Sequence, residues 1–360
     1  MSTHDKTKSL LILEADGVGS HPAAWRYQET PGNVFDIARL ARVVLSAESA
    51  GFHAVSFQDS RAVAVHGPRG GLDAIQRAAY LGAVTHSIGL FPVIDAIYTE
   101  PFHLATQLAG LDTVSGGRAG WIVLAEGTAR QGAAVGRDAL AAEQLPGEVA
   151  DVVRVSRALW DSWEDDAVIK DQATGRYLDR TKLHYTDFVG SRFAIKGPAI
   201  SPRPIQGQLP VFVPEEVATQ GHDAVLFTEP NLDQLLATAA SSSGARIAEL
   251  EFVIDAAGEP AASRLTQLNA WENWDSKRAR FVGSAEEFTT YLRYLLPLVA
   301  GVRLHPATLG IDATEFSNVV LPALRSAGLL ADISTGSTLR STFGLAPATN
   351  QFARLSSHAA

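Results

Sequence analysis

A chain of 360 residues, 46% hydrophobic and 19% charged, can bury a large core as one large domain or two ordinary ones. Its net charge of -9, with no Lys/Arg cluster, argues against phosphate-backbone binding and so against a nucleic-acid partner. The absence of cysteine excludes disulfides, thiolate metal sites and cysteine nucleophiles, and it fits a reducing compartment.

No apolar stretch approaches the roughly 20 residues that cross a bilayer, and the polar stretch 1–9 lacks the apolar region of a signal peptide. The expectation is a cytoplasmic protein with no membrane partner.

Taken in chain order, the apolar runs that predict strands lie at 9–14, 53–58, 88–93, 119–125, 209–213, 224–228, 249–254 and 301–305. Their nearly unbroken apolar character suits strands of a parallel sheet buried on both faces. Helical patterns fall between them. Residues 35–50 carry apolar side chains at 37, 40, 41, 44 and 45, and residues 101–114 carry them at 104, 105, 108 and 111. Further helix-length segments lie at 72–84, 149–163, 232–240 and 285–296, the last with an N-cap at Ser284 and a capping box completed by Glu287.

Eight strands alternating with helices is the count of a (β/α)8 TIM barrel, an α/β fold. A doubly wound open sheet is the rival, but no Gly-x-Gly-x-x-Gly follows the first strand. The reading is one barrel domain over residues 1–360. A rim excursion is expected at 164–204, where turn signals such as Thr174-Gly175 and Lys196-Gly197-Pro198 break the alternation, and a C-terminal tail at 328–360.

In such a barrel the site lies at the C-terminal ends of the strands. The residues there are Glu14-Ala15-Asp16, Gln58-Asp59-Ser60, Ile94-Asp95, Glu126-Gly127, Pro214-Glu215-Glu216, Thr228-Glu229, Asp255 and His305-Pro306. They form an acidic rim with few cations, able to act as general bases or hydrogen-bond acceptors, or simply to cap the following helices. The ten histidines show no metal-ligand spacing, and there is no His-Glu-x-x-His, no Gly-x-x-x-x-Gly-Lys-Ser/Thr and no Gly-x-Ser-x-Gly. His103 reads as a first-turn helix residue and His305 as the end of a strand. Trp271 and Trp274, three residues apart, read as a pair packing from one helix face.

Five fragments then stand in register: Tyr98-Thr-Glu-Pro101-Phe-His103-Leu-Ala, Leu111-Asp-Thr-Val-Ser-Gly-Gly-Arg118-Ala-Gly-Trp121, Leu159-Trp-Asp-Ser-Trp-Glu164, Gly197-Pro-Ala-Ile-Ser-Pro-Arg203-Pro-Ile-Gln-Gly207 and Thr338-Leu-Arg-Ser-Thr-Phe-Gly344-Leu. Together the chain resembles the bacterial luciferase-like, flavin-dependent monooxygenases, in the branch of nitrilotriacetate and dibenzothiophene-sulfone monooxygenases. The resemblance spans nearly the whole chain. It implies a (β/α)8 barrel forming a homodimer or tetramer, which takes reduced FMN from a separate flavin reductase and uses O2 to oxygenate a small organic substrate.

Residue by residue, the resemblance carries over Asp59 and Ser60, which match the family's Ala-Asp-Ser after the second strand. Asp95 stands where the family places hydroxyls. Ile122 replaces an Asn that faces the flavin, with Glu126 closing that run. Ala142 and Pro146 replace a His and a Tyr near the phosphate. Glu215 and Glu216 occupy the turn after the fifth strand, with Thr219 as its remaining hydroxyl and the following helix cut short. The cofactor-binding candidates are thus Asp59, Ser60, Asp95, Glu126 and Thr219; catalytic residues are unassigned and no metal ligand is expected.

Two functional readings stay open. One is an FMNH2- and O2-dependent monooxygenase. The other is a luciferase-like barrel that has lost normal FMN binding and serves as a partner subunit or small-molecule-binding protein. A hydrolase or lyase using Asp59, Asp95 and Glu126 ranks last.

Overall fold

A computed structural model of the chain describes residues 8–27, 35–59, 70–256 and 258–352. Eight parallel strands close into a barrel: β1 (Leu10–Glu14), β2 (Ala54–Gln58), β3 (Gly89–Asp95), β4 (Trp121–Leu124), β5 (Val211–Pro214), β6 (Ala224–Phe227), β7 (Arg246–Ile254) and β8 (Gly301–Pro306). Each pairs with the next, and β8 returns to β1 with Leu10 opposite Gly301. All eight strands were expected from their apolar runs. The wall between strands and helices is apolar, whereas the lumen holds Ile12, Phe91, Val93, Ile122, Phe212 and Leu226 below a polar upper layer.

Local chemistry sets the helix ends. Helix α1 (Ile37–Ala50) starts where Asp36 accepts from the Arg39 backbone N–H, and ends at Gly51 with φ 97°. Helix α2 (Ala74–Val84) is capped by Asp73, and α3 (Pro101–Ser115) by Glu100 with proline in its first turn. Helix α4 (Leu145–Asp161) follows β4. Helices α5 (Leu232–Ser241) and α6 (Ala261–Trp271) follow β6 and β7. Helix α7 (Ala285–Leu295) carries the expected capping box of Ser284 and Glu287.

Three departures from the eightfold alternation matter. Between β5 and β6 there is only a single 3-10 turn, Glu215–Val217, so the truncated helix expected there is absent altogether. A ninth parallel strand, Ala279–Gly283, pairs with the upper half of β7. Beyond β8, helical turns run over Leu309–Ala313, Phe316–Val320 and Leu321–Ser326, a stretch without a clear apolar period in the sequence. The Trp271 and Trp274 expectation is corrected: α6 ends at Trp271. Trp271 meets Tyr27 edge-on at 6.3 Å, while buried Trp274 packs on His21 at 5.2 Å and beneath Arg280 at 4.0 Å.

The fragments that carry the family resemblance are scaffold. Gly116 and Gly117, with φ of 69° and 85°, reverse the chain after α3. Arg118 then donates to the carbonyls of Gly82, Thr85, Ile88 and Ser115 at 2.7–2.9 Å, tying the α2–β3 turn to β4. Asp112 accepts from Gln206 Nε2 at 2.6 Å, and Gln206 Oε1 accepts from the Arg340 N–H at 2.7 Å, so three fragments lock together. Leu339 and Phe343 plug the N-terminal end of the lumen, Phe343 lying 4.9 Å from Phe212 and 5.7 Å from Phe91.

Between α4 and β5, residues 164–204 form two antiparallel hairpins, Val168–Asp171 with Arg176–Leu178 and Phe188–Val189 with Ala194–Ile195. The second runs along the outside of α4, where the Ser191 N–H donates to Asp151 at 2.9 Å and Arg192 faces Glu148 at 3.5 Å.

Gly120 is required by this packing. A Cβ there would lie 2.2 Å from Phe91, whose ring is wedged against Phe212 at 4.7 Å and against Phe343. Gly120→Ala is expected to destabilise the fold by about 1–3 kcal/mol through overpacking, read as a lowered urea midpoint at unchanged slope.

Candidate functional site

At the C-terminal mouth, the long strand β7 changes partners. Its lower half pairs with β6 through Arg246, Ile247 and Ala248, and its upper half pairs with the ninth strand from Leu250 to Ile254. Where β6 ends, a cleft opens. A cavity of about 610 Å³ lies there, lined by Pro214, Glu216, Leu226, Thr228, Glu249 and the loop Asp275-Ser276-Lys277-Arg278. That is within the roughly 300–1,000 Å³ usual for small-molecule sites. A second cavity of about 500 Å³ shares Asp275, Ser276 and Arg278 and adds Ser20, Glu251, Glu272 and Trp274.

Beside the first cavity the barrel holds a buried charge network built by strand register. Glu249 lies opposite Arg303, and Glu251 lies opposite both His305 and Arg280. On β7 (Glu249, Glu251) and on β8 (Arg303, His305) the two polar residues are two apart, so each pair points to one face. Arg303, 3% exposed, donates to Glu249 Oε1 at 2.6 Å, to Ser56 Oγ at 3.0 Å and to Glu14. Ser56 Oγ in turn donates to Glu14 Oε2 at 2.8 Å. Glu14 Oε1 is buried without a hydrogen-bond partner.

Burial pushes the Glu14 carboxyl above its ordinary value, against the pull of Arg303. Glu249 behaves oppositely: burial raises it, but Arg278 and Arg303 together hold it well below the ordinary carboxylate value. Burial, reinforced by Arg278, lowers His305 to about 3, so its ring is neutral at physiological pH. Arg280 donates to Glu251 at 2.9 Å.

The residues singled out in the sequence spread around this mouth. Asp95 is buried, and its two carboxylate oxygens accept from the Ile97 and Tyr98 N–H groups at 3.0 and 2.9 Å, shaping the turn into α3. Glu126 accepts from Gln131 at 2.6 Å. The Asp59 N–H donates to the Val93 carbonyl at 3.1 Å, placing it at the β2 exit beside β3. Ser60 lies outside the described residues. Thr219 is set apart in an outer cavity of about 680 Å³ with Arg154, Arg157 and Gln208. Glu215 pairs with Arg246 at 2.7 Å outside the lumen, while Glu216 lines the mouth cavity.

Ile122 is 2% exposed and packed within the lumen. Ala142 sits in a 3-10 turn and Pro146 in the first turn of α4, flanked by Glu143 and Glu148. Sequence reading missed Glu249, Glu251, Arg278, Arg280 and Arg303. Their signal was the i, i+2 spacing of charged residues inside or beside apolar strands.

Among the described residues, no group of three His, Asp or Glu is placed to hold a metal ion, and no helix is long and apolar enough to cross a membrane.

Comparisons with known proteins agree with this architecture. The family described as "Luciferase-like monooxygenase" matches residues 17–262. N-acetyl-S-(2-succino)cysteine monooxygenase of Bacillus subtilis (strain 168) is 32% identical over 218 residues, covering 59% of this chain and 49% of that protein. Nitrilotriacetate monooxygenase component A of Aminobacter aminovorans is 32% identical over 212 residues, covering 54% and 47%. The chain thus spans about half the length of these curated relatives. A crystal structure of riboflavin lyase (RcaE) with modified FMN and riboflavin shares the fold at TM-score 0.79 and 22% identity, covering 95% of this chain and 96% of the other.

Proposed function

Because the chain belongs to the luciferase-like monooxygenase family, we propose that it is an FMNH2- and O2-dependent monooxygenase of a small organic substrate, supplied with reduced flavin by a separate reductase. The observation that carries this reading is the family match over residues 17–262 together with an open cavity at the C-terminal mouth of the barrel. A partner reductase is in keeping with the similarity to a protein named as component A of a monooxygenase. The same reading takes the chain as one barrel domain, assembled as a homodimer or tetramer in the cytoplasm.

Reduced flavin, when bound, supplies the two electrons that take one atom of O2 to water while the other enters the substrate. The chain's own residues bind, orient and exclude water. Leu226 gives the mouth cavity an apolar surface, and Asp59 at the β2 exit is our candidate acceptor for a ring N–H. The β5 exit offers no helix N-terminus to an anion, since only a 3-10 turn follows it, with Glu215 and Glu216 in place of donors. Thr228, Ser276, Lys277 and Arg278 line the mouth cavity together with the carboxylates Glu216, Glu249 and Asp275. With three carboxylates against two cations, this lining does not make a phosphate cradle either.

Anaerobic titration with reduced FMN is expected to show binding near micromolar affinity and a raised melting temperature, with turnover on adding O2 and substrate. No response at hundreds of micromolar would overturn the proposal and favour the barrel without flavin.

A further inference from the structure

We infer that the substrate carries a protonated amine, and that Glu251 Oε1 receives its ammonium group at the mouth, with Glu272 and Asp275 of the same cavity. This rests on the monooxygenase reading above, taking the mouth as its substrate site, and names the class of molecule admitted. The place is the second cavity, of about 500 Å³. Its ionisable lining is three carboxylates, Glu251, Glu272 and Asp275, against one cation, Arg278, and the hydroxyls of Ser20 and Ser276 add further acceptors.

An unmet oxygen points to a ligand there. Glu251, fully buried on β7, takes Arg280 on Oε2, at 2.7 Å from Nη2 and 2.9 Å from Nε. Its Oε1 is buried without a hydrogen-bond partner. Buried polar atoms are nearly always paired, and a charged one left bare costs more than a neutral one. Arg278 does not meet it: Nη1 stops 3.9 Å away, beyond hydrogen-bond reach, while Nε donates to Glu249 at 3.3 Å. Burial holds the Glu251 carboxyl above its ordinary value even with Ser276, Arg280 and Arg278 facing it, as befits a carboxylate short of positive charge.

A primary ammonium answers that lack. It is charged at neutral pH, as the lysine side chain is, and its three donors can be shared between Glu251 Oε1 and the neighbouring carboxylates. A metal ion does not fit, because among the described residues no group of three His, Asp or Glu is placed to hold one. An anion is disfavoured by the same excess of carboxylates that leaves the adjoining cavity without a phosphate cradle. The two cavities share Asp275, Ser276 and Arg278, so the carbon chain of the amine can extend toward Pro214 and Leu226 of the first.

Calorimetry without added flavin, at fixed ionic strength, tests the assignment with hexylamine, hexanol and hexanoate as probes. Hexylamine is expected to bind at least about tenfold more tightly than hexanol, and hexanoate more weakly than either. Glu251→Gln should weaken hexylamine about tenfold and leave hexanol unchanged. Asp275→Asn, at an exposed position free of the folding cost that Glu251→Gln carries, should weaken hexylamine about threefold. Equal affinity for hexylamine and hexanol, a preference for hexanoate, binding of no probe, or an amine preference that survives in every variant that folds overturns the amine assignment. Each of these leaves the flavin reading intact, since that reading is judged by the separate FMN titration. Amine binding beside an absent FMN response overturns the flavin reading and leaves the amine site standing.

Discussion

Replacing Arg303 by methionine is expected to destabilise the barrel by about 3–5 kcal/mol, the cost of leaving buried carboxylates without their cation. Arg303 spans from β8 to Glu14 on β1 and Glu249 on β7, all three nearly inaccessible to water. Methionine fills most of the volume but supplies no donor, so Glu14, Glu249 and Ser56 each lose a partner at once. Arg278, 3.3 Å from Glu249, can compensate for one carboxylate but not for Glu14 across the lumen. The urea midpoint of Arg303→Met should therefore fall sharply at pH 7.5. The triple variant Glu14→Gln/Glu249→Gln/Arg303→Met should recover much of the loss, because neutral amides are cheaper to bury than unpaired charges. A triple variant no more stable than Arg303→Met would show that Arg303 acts through packing rather than charge.

That network also shows why the fold was legible and the site was not. Eight apolar runs separated by helical periods specify a closed parallel barrel, because each strand buried on both faces must read as apolar. The fragments Gly116-Gly117-Arg118 and Gln206, with Asp112 and Arg340, explain the family likeness physically: they join helices, strands and the C-terminal plug through backbone carbonyls and buried side chains. They hold the scaffold and line neither of the two described mouth cavities, so their presence says little about chemistry.

The mouth depends instead on cross-strand register. Glu249 and Arg303 are 54 residues apart in sequence and 2.6 Å apart in space, a meeting set by hydrogen-bond pairing between β7 and β8. The ninth strand was not among the eight expected from apolar runs, yet it delivers Arg280 to Glu251 and anchors the loop that brings Lys277 and Arg278 to the cavity. An acidic rim with few cations was the natural reading of strand ends alone. The missing cations came from inside β8 and from the approach to the ninth strand.

Acid should unfold this protein more steeply than its carboxylates alone would require, since buried neutral histidines resist protonation in the native state. His53, at the N-terminal end of the barrel, accepts from the Leu11 N–H through Nδ1 at 2.9 Å and faces the Ala331 carbonyl with Nε2 at 3.0 Å. Those partners require the neutral ring with its proton on Nε2. Burial lowers His53 to about 4 and His305 to about 3, from an ordinary 6.5. Both folded values lie below the unfolded one, so the unfolded chain binds the extra protons. The associated stability is complete above about pH 6.5 and is lost as pH falls toward 4 for His53 and toward 3 for His305.

Within that window each histidine contributes a slope of about 1.4 kcal/mol per pH unit, about 3 for the pair. Buried His21, also lowered by burial, adds in the same direction. Against a typical total of about 5–15 kcal/mol, two pH units remove a large share. Urea midpoints between pH 6 and pH 4.5 should show this slope, and His53→Gln should reduce it by about 1.4 kcal/mol per unit, because an amide can both accept from Leu11 and donate to Ala331 without titrating. The same slope in both proteins would mean that His53 takes up its proton in the folded state and that its two hydrogen bonds do not hold it neutral.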